Sequence, residues 1–174
     1  MMNDTLATGG GKGAISLAEY KVLFGNHPGG VAVITVGGVR PAGFTATSVI
    51  SVSAQPPLLV FSINKTSSSW PIVAEATSAV VHFLSNADRA VADRFATSGI
   101  DRFAGLEYSV LDTGEPLIAG IETWAQGTLI NRVEVGSSVL LVLQIETAAA
   151  AVNHHPLVYR ARNYYHLADE SKLV

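Results

Sequence analysis

The chain has 174 residues, of which 48% are hydrophobic and 14% are charged, and its formal net charge is −3. At this length, one domain with a buried core is the default expectation. Nucleic-acid binding needs clustered Lys and Arg, which this sequence lacks, so composition argues against nucleic acid as the main partner. The absence of cysteine excludes a thiolate nucleophile, a cysteine-ligated metal site and a disulfide framework.

The low proportion of charged residues also bears on assembly and location. Proteins have on average about 25% charged residues, so this chain has few charges to cover its surface, and a homodimer that hides part of it is favoured. Glu134, Gln144 and Glu146 interrupt the longest apolar stretch before it reaches the length of a membrane span. We therefore expect a soluble, cytoplasmic protein. The expected division is a flexible tail over 1–15, one folded domain over 16–168 and a short tail over 169–174.

The first predicted element is a short amphipathic helix. Ser16 and Glu19 form a capping box, in which each side chain can satisfy a free N–H at the helix start. Apolar residues then recur at helical spacing as far as Phe24, and Gly25 is a typical stop signal. The helix is therefore predicted to end near residue 25.

A β-hairpin is predicted after the helix. Residues 31–36 are rich in β-branched side chains, Gly37 and Gly38 indicate a two-residue turn, and residues 39–44 form the returning strand. Pro41 has no N–H to donate to a neighbouring strand. We therefore expect the returning strand to be an edge strand or to carry a bulge.

Two apolar runs, residues 49–52 and 58–63, predict the central strands of the domain. Each run adjoins a loop dense in hydroxyl and amide groups, at residues 45–48 and 64–69. Strands that end in such loops bring backbone N–H groups and short side-chain donors to one place, which suits a phosphate or a flat heteroaromatic ring. A hairpin with ordinary Ser- and Thr-rich turns is the alternative interpretation.

A second helix is predicted to follow these strands. Ser69 is a candidate N-cap for a helix from Trp70 to about Thr77. Its N-terminus would lie beside Asn64 and Lys65, where unpaired N–H groups and the helix dipole attract anions. An ordinary cap without a ligand is the alternative.

The second half of the chain predicts one more helix and several strands. Residues 85–88 are expected to cap a helix that buries Phe95 and exposes an ion pair between Arg89 and Asp93. Residues 97–110 are interpreted as a loop with weak structure. The predicted strands cover 79–84, 116–118, 121–133, 138–145 with a continuation over 148–152, and finally 156–160 and 164–167, which close the sheet. Many short strands without an alternating βαβ pattern favour a barrel.

Motifs of several common active sites are absent from the sequence. There is no G-x-G-x-x-G at a strand-to-helix turn, no phosphate-binding G-x-x-x-x-G-K-[ST] and no G-x-S-x-G of a serine hydrolase. The histidines lack metal-ligand spacing, and neighbours on a strand point to opposite sides, so no metal is expected. A structural or solvated role is predicted for His27, His82, His154 and His155.

The order of short motifs makes the chain resemble the flavin reductase-like family, whose fold is the FMN-binding split barrel. The motifs are Gly-Phe-Thr-Ala-Thr-Ser at 43–48, Ser-Val-Ser at 51–53, Pro-Pro-Leu at 56–58 and Ser-Ile-Asn-Lys at 62–65, with weaker matches at 114–117, 135–136, 156–159 and 164–166. The resemblance implies a mainly β fold, a Greek-key-like six-stranded barrel with a few short flanking helices.

The resemblance also implies a function. It predicts an NAD(P)H-dependent flavin reductase that transfers a hydride from NADH or NADPH to FMN or FAD and supplies a partner monooxygenase. In such an enzyme the cofactor carries the reaction, so no protein acid or base is required for the hydride step and no catalytic residue is assigned. Two alternatives remain: a flavin- or haem-binding barrel without reductase turnover, and a pyridoxine-phosphate-type oxidase on a related barrel.

Binding roles follow from the resemblance, position by position. The loop that contacts the isoalloxazine and the ribityl chain corresponds to Thr45, Ala46, Thr47 and Ser48. Positions near the ribityl chain and the phosphate correspond to Ser62, Asn64, Lys65 and Ser69, the last two at the phosphate end. Phe95, with Arg94 beside it, matches a position near the flavin, and the alternative is a core phenylalanine beside a surface arginine.

The nicotinamide side is predicted from two positions. His166 matches a C-terminal aromatic or histidine that lines this side, and Ser138 is the second residue assigned there. One departure from the family pattern occurs at 136–138, where Gly-Ser-Ser stands in place of the Gly-Asp-His of many family reductases. A serine can donate a hydrogen bond but cannot stack as an imidazole does, and this difference motivates the non-reductase alternative.

Overall fold

The structure is a computed structural model that describes residues 14–167, within which it contains three α-helices and twelve strands. The helices are α1 (Leu17–Asn26), α2 (Trp70–Glu75) and α3 (Arg89–Ala96). The strands are β1 (Gly29–Gly30), β2 (Ala32–Val36), β3 (Ala42–Ala46), β4 (Val49–Ala54), β5 (Pro57–Asn64), β6 (Ser78–Phe83), β7 (Tyr108–Val110), β8 (Pro116–Ile118), β9 (Trp124–Val135), β10 (Ser138–Ala149), β11 (Leu157–Arg160) and β12 (Asn163–His166). The predicted mainly β architecture is confirmed. Almost all of both predicted tails lies outside the described residues.

Seven strands form one antiparallel sheet in the order β3-β2-β6-β9-β10-β5-β4. Phe44 on β3 and Phe61 on β5 are far apart in this order, yet their ring centroids lie 6.2 Å apart. The sheet therefore curls around one core, to which Ile34, Val81 and Leu141 contribute fully buried side chains. Its two edge strands do not pair with each other, as expected for a split barrel, and the sheet has seven strands rather than the predicted six.

The predicted hairpin is present, with a shorter returning strand. Residues 37–41 connect β2 to β3, and Pro41 directly precedes β3. Strand β3 is an edge strand, which confirms the expectation drawn from the missing N–H of Pro41. The register pairs Val33 with Thr45 and Ala32 with Ala46, so the end of β3 is held by hydrogen bonds to β2.

The first helix begins as its capping box predicts. The Glu19 carboxylate accepts a hydrogen bond from the Ser16 N–H at 2.8 Å, and the Ser16 hydroxyl accepts one from the Glu19 N–H at 3.2 Å. No residue of α1 is buried, and Leu17 is 68% exposed. The apolar side chains of this helix thus have little cover from the described part of the chain. No helix within residues 14–167 is long and apolar enough to span a membrane.

The two C-terminal strands form a separate small sheet, contrary to the prediction that they close the main sheet. Strand β11 pairs with β1, where Gly29 faces Tyr159, and β12 pairs with β11. The glycine pair at 29–30, which the sequence analysis did not assign to a strand, supplies the partner for β11. An isolated bridge between Ser85 and Pro156 ties this small sheet to the end of β6.

His82 fastens β6 to its neighbours, which confirms its predicted structural role. Its Nδ1 donates to the Val33 carbonyl oxygen at 3.1 Å, and its Nε2 accepts from the Ile118 N–H at 3.1 Å. These two bonds require the neutral ring with the proton on Nδ1. Burial lowers the pKa of His82 to about 4, because the charged form would lose its hydration.

Gly43 allows α3 to pack closely against β3. A Cβ at this position would lie 2.5 Å from Cε1 of the Phe95 ring and 3.0 Å from the Ile34 carbonyl oxygen. Phe95 is therefore a core residue whose ring occupies the space above a glycine. This close approach sets the distance between β3 and α3, and the candidate site lies at one end of that contact.

Candidate functional site

A polar cleft of about 400 Å³ lies where the end of β3, the end of β5 and the C-terminus of α3 meet. The residues that line it include most of those predicted to bind a phosphorylated ligand. They are Phe44, Thr45, Ala46, Thr47, Ser48, Ser62, Ile63, Asn64, Thr66, Ser67, Ser68, Phe95, Ala96, Ser98 and Arg102. The structure thus brings together two loops that are about 20 residues apart in the sequence.

The segment predicted as one loop at 45–48 has two parts. Thr45 and Ala46 belong to β3, and the Thr45 hydroxyl donates to the Ala92 carbonyl oxygen of α3 at 2.7 Å. Thr47 and Ser48 follow the strand and are exposed. Their N–H groups have no partner among the hydrogen bonds of the described residues. Both residues line the cleft, and within the described residues their N–H groups are not used by other bonds.

Two hydroxyls meet in the wall of the cleft. The Oγ atoms of Ser48 and Ser62 lie 2.7 Å apart, although the residues are 14 positions apart in the chain. This bond joins the loop after β3 to the middle of β5. Because each hydroxyl has one proton and two lone pairs, the pair can still accept or donate one further bond to a ligand.

Asn64 shapes the loop at the other end of the cleft. Its Oδ1 accepts from the Thr66 N–H at 2.9 Å and from the Thr66 hydroxyl at 2.8 Å, and its carbonyl oxygen accepts from the Ser67 N–H at 2.9 Å. These bonds turn the chain sharply, as an Asx turn does. The turn directs Ser67 and Ser68 into the cleft. Asn64 is therefore a residue that positions the loop as well as a residue of the cleft.

Arg102 is the functional residue that the sequence analysis missed. Its Nη1 donates to the Gly43 carbonyl oxygen at 2.9 Å and to the Ser69 hydroxyl at 2.8 Å, and its Nε donates to the Thr97 carbonyl oxygen at 3.0 Å. A longer bond of 3.4 Å joins Nη2 to Ser68 Oγ. Partial burial lowers the pKa of Arg102, but an arginine stays protonated in proteins.

The segment that carries Arg102 was interpreted as a weakly structured loop. Arg94 holds it in place, because its Nη1 donates to the Ala104 carbonyl oxygen at 2.7 Å. Phe103 packs edge-on against Phe95, with centroids 5.2 Å apart. The only hint of Arg102 in the sequence was its position beside Phe103 in a polar loop. Arg94 therefore supports the wall of the cleft and does not line it.

Two residues predicted at the phosphate end, Ser69 and Lys65, are not among the residues that line the cleft. Ser69 does not cap α2 with its side chain, and it is only 2% exposed. Its hydroxyl donates to the Gly43 carbonyl oxygen at 2.8 Å and accepts from Arg102, so a tertiary contact replaces the cap. Lys65 does not line the cleft, and its Nζ forms an ion pair with Glu134 at 2.6 Å. At the start of α2, the Trp70 N–H already donates to the Ser67 carbonyl oxygen at 3.0 Å. The assignment of Ser69 and Lys65 to the phosphate end stays a prediction.

The two residues predicted on the nicotinamide side do not line the cleft of the described chain. Ser138 pairs with Asn64 in the ladder between β10 and β5, and Ser137 Oγ accepts from Asn64 Nδ2 at 3.4 Å. His166 is exposed on β12, opposite Leu157. Their assignment to the nicotinamide side stays a prediction.

The charges of the cleft indicate the kind of ligand that fits it. Among the described residues that line it, Arg102 is the single cation and none is acidic. Ser68 Oγ accepts a bond from Arg102, Ser67 adds a second hydroxyl, and Ala46 and Phe95 contribute apolar groups to the same cleft. A donor-rich, acid-free wall beside an arginine suits a phosphate, and an adjoining apolar surface suits a flat ring. The donor set thus fits a phosphorylated flavin. No cluster suited to a metal ion occurs in residues 14–167.

Comparison with known proteins gives consistent matches. Residues 24–168 match the family described as flavin reductase like domain. An NADH:FMN oxidoreductase of Rhodococcus erythropolis is 38% identical over 162 residues, which are 87% of this chain and 82% of that protein. The reductase component of a flavin-dependent trigonelline monooxygenase of Acinetobacter baylyi is 34% identical over 78% of this chain and 44% of its own length.

A solved structure supports the same fold. The flavin reductase domain protein from Arthrobacter sp. FB24 superposes with a TM-score of 0.84 at 32% identity, covering 90% of this chain and 99% of that one. The split-barrel fold predicted from the motifs is thereby confirmed.

Proposed function

The chain belongs to the flavin reductase-like family, and we propose that it transfers a hydride from NADH or NADPH to FMN or FAD and passes the reduced flavin to a partner monooxygenase. The 38% identity to an NADH:FMN oxidoreductase supports the reductase activity. The similarity to a monooxygenase reductase component supports the partner. The cytoplasm is the proposed location, in keeping with a chain that has no cysteine to oxidise.

The single observation that carries the proposal is the acid-free cleft with one arginine at its end. We assign the flavin phosphate to that end, where Ser67, Ser68 and Arg102 offer hydroxyl and guanidinium donors. The ring system is assigned to the part of the cleft beside Thr47 and Ser48, whose N–H groups are free in the described part of the chain. A bound flavin supplies the chemistry, because it accepts a hydride at N5 and becomes negatively charged around N1 and the C2 carbonyl.

The residues of the cleft contribute binding and orientation. Two fixed N–H groups after β3 can stabilise the charge that develops on the ring, because donors placed in advance cost no reorganisation during the reaction. The Thr45 bond to α3 and the hydroxyl pair of Ser48 and Ser62 hold this loop in position. Asn64 does the same for the phosphate loop. Because the flavin carries the hydride chemistry and the residues of the cleft only bind and orient it, the cleft needs no acid or base.

A homodimer is part of the proposal, and exposed apolar residues support it. Ile50 on edge strand β4 is 59% exposed, Val52 on the same strand is 55% exposed, and the apolar side chains of α1 are exposed as well. A second copy of the chain would cover such surface. The variant I50K should shift the protein from dimer to monomer in light scattering after gel filtration. A wild-type protein that is monomeric at micromolar concentration would contradict this part of the proposal.

A flavin- or haem-binding protein without turnover is the second candidate. The observation that favours it is the Gly-Ser-Ser sequence at 136–138, where Ser137 is bonded to Asn64 and Ser138 lies outside the cleft. This candidate predicts a ligand that copurifies in a one-to-one ratio and is not turned over. A Soret band in the absorbance spectrum would identify haem.

Stopped-flow spectroscopy separates the two candidates. The protein is mixed with FMN or FAD and then with NADH or NADPH under anaerobic conditions, and the flavin absorbance is followed. Bleaching over many turnovers with excess flavin is the result expected for a reductase. Flavin that binds but is not bleached by either nucleotide would favour the second candidate. Protein omitted from the mixture is the control for direct reaction.

A further inference from the structure

The tip of the hairpin formed by β9 and β10 contacts the loop to which the flavin phosphate is assigned. The tip covers residues 134–137, and we call the loop over residues 64–69 the phosphate loop. The tip is held by two strand pairings, because Ser138 pairs with Val135 on β9 and with Asn64 on β5. The proposed function gives the tip no role, although the chain departs from the family pattern there.

Three contacts join the tip to the start of the phosphate loop. The Lys65 N–H donates to the Ser137 carbonyl oxygen at 2.9 Å. Asn64 Nδ2 donates to Ser137 Oγ at 3.4 Å, and Lys65 Nζ lies 2.6 Å from a carboxylate oxygen of Glu134. Neither Ser137 nor Glu134 lines the cleft of the described chain. In this arrangement they affect a ligand through the residues that they contact.

The bond to Ser137 helps to fix which way the Asn64 amide faces. With Nδ2 turned towards the Ser137 hydroxyl, Oδ1 faces Thr66 and accepts its N–H at 2.9 Å and its hydroxyl at 2.8 Å. An amide with its two ends exchanged would place its NH₂ group against the Thr66 N–H, so that two donors would meet. The bonds to Thr66 hold the turn that directs Ser67 into the cleft.

The other end of the phosphate loop is anchored separately. The buried Ser69 hydroxyl donates to the Gly43 carbonyl oxygen at 2.8 Å and accepts from Arg102 at 2.8 Å. Within the described residues, the bonds that reach residues 64–67 from other strands come from the hairpin. The hairpin therefore holds the first half of the loop, and Arg102 holds the second.

We infer that the hairpin tip positions the phosphate loop for the flavin phosphate, with Ser137 and Glu134 as its positioning residues. This inference rests on the proposed function, because it needs the phosphate beside Ser67 and Ser68. A loop that is already ordered loses less conformational freedom when the phosphate binds, and this favours FMN over riboflavin. The Gly-Ser-Ser sequence at 136–138 thereby gains a role, since its first serine supplies two acceptors to the loop.

Fluorescence titration of the full chain with FMN and riboflavin tests the inference. The variant S137A removes a hydrogen-bond acceptor and should weaken FMN binding about threefold. E134Q removes an exposed ion pair, which contributes less, and should weaken it about twofold. The double variant should weaken it about sixfold, whereas riboflavin, which has no phosphate, should keep its affinity within about twofold. S137T keeps the hydroxyl and should restore the affinity for FMN.

Matched controls come from the same hairpin. Thr128 Oγ1 donates to a Glu146 carboxylate oxygen at 2.6 Å, and both residues lie outside the cleft. T128A and E146Q remove the same kinds of group as the test variants and should keep the wild-type affinity for FMN. In steady-state reduction of FMN by NADH, the double variant of S137A and E134Q should raise the KM for FMN and leave kcat unchanged, because the loop contacts the phosphate and not the ring.

The outcomes separate this inference from the proposed function. Equal weakening of FMN and riboflavin in the double variant would overturn the inference, because it would show a general loss of structure. Unchanged affinity for FMN in the double variant would overturn it as well. Tighter FMN binding by E134Q would also overturn it, since Glu134 would then hold Lys65 away from the phosphate. FMN reduction continues in each of these cases, whereas a wild type that binds neither flavin would contradict the proposed function and the inference together.

Discussion

The replacement of Arg102 by alanine is the sharpest test of the candidate site. The variant removes the single cation of the described cleft wall, together with its bonds to the Gly43 carbonyl oxygen and the Ser69 hydroxyl. A hydrogen bond that involves a charged group contributes about 1.5–3 kcal/mol. If Arg102 contacts the flavin phosphate, FMN binding should weaken roughly 10- to 150-fold.

The comparison with riboflavin makes the test specific. Riboflavin has no phosphate, so the direct loss does not apply to it, and only the disturbance of the loop that holds Arg102 weakens its binding. The expected result is therefore a fall in the ratio of riboflavin Kd to FMN Kd, measured by quenching of flavin fluorescence at constant salt. Circular dichroism and thermal unfolding check that the variant is folded.

The variant R102K is the matched comparison. Lysine keeps the positive charge but cannot bridge two acceptors as the planar guanidinium does. It should recover part of the FMN affinity and leave the loop less stable. Equal weakening of FMN and riboflavin in R102A would refute the assignment, because it would show that Arg102 acts on the loop alone and that the phosphate binds elsewhere.

Two further predictions concern stability. Because burial lowers the pKa of His82 to about 4, the unfolded chain binds a proton between pH 6.5 and 4 that the folded chain does not bind. The neutral ring therefore stabilises the fold fully above pH 6.5, and the free energy of unfolding falls by about 3 kcal/mol as the pH drops to 4. Urea unfolding at several pH values should therefore show a smaller dependence on pH in H82Q than in the wild type, and an unchanged dependence would contradict the argument from burial. The variant G43A should lose about 1–3 kcal/mol and bind FMN more weakly, since its Cβ would collide with the Phe95 ring. G30A has open space at its Cβ and serves as the control in thermal unfolding and FMN titration; a G43A as stable as G30A would contradict the packing argument.

Elements that depend on nearby residues were predictable from the sequence. The capping box of α1 and the pair of Arg89 with Asp93, at 3.7 Å, join residues three and four positions apart. Strands β4 and β5 form where the two apolar runs at 49–52 and 58–63 predict them. The prediction that both are central was wrong for β4, which is an edge strand with Ile50 and Val52 exposed. The polar loops beside these strands indicated a phosphate or a flat ring as ligand, and the family resemblance implied that this ligand is a flavin.

Contacts between distant residues were not predictable in the same way. Arg102 bonds to Ser69 across 33 positions and to Gly43 across 59, and Lys65 pairs with Glu134 across 69. A capping serine and an anion-binding lysine are reasonable expectations from local sequence. In the structure, Ser69 instead bonds to the Gly43 carbonyl oxygen and Lys65 pairs with Glu134 on another strand. Local sequence patterns do not show which distant residue a side chain will contact.

The sequence by itself determined the class of fold, the positions of most strands and the chemical character of the cleft, because hydrophobic periodicity and side-chain type act over a few residues. The tertiary structure decided which polar groups face the cleft, since that depends on how β3, α3 and the loop at 97–106 pack together. It also decided that β11 pairs with β1 and β12 with β11, in a small sheet that leaves the edges of the main sheet open. Gly43 illustrates both contributions. The glycine is visible in the sequence, but its lack of a side chain matters only because the tertiary structure packs Phe95 against it.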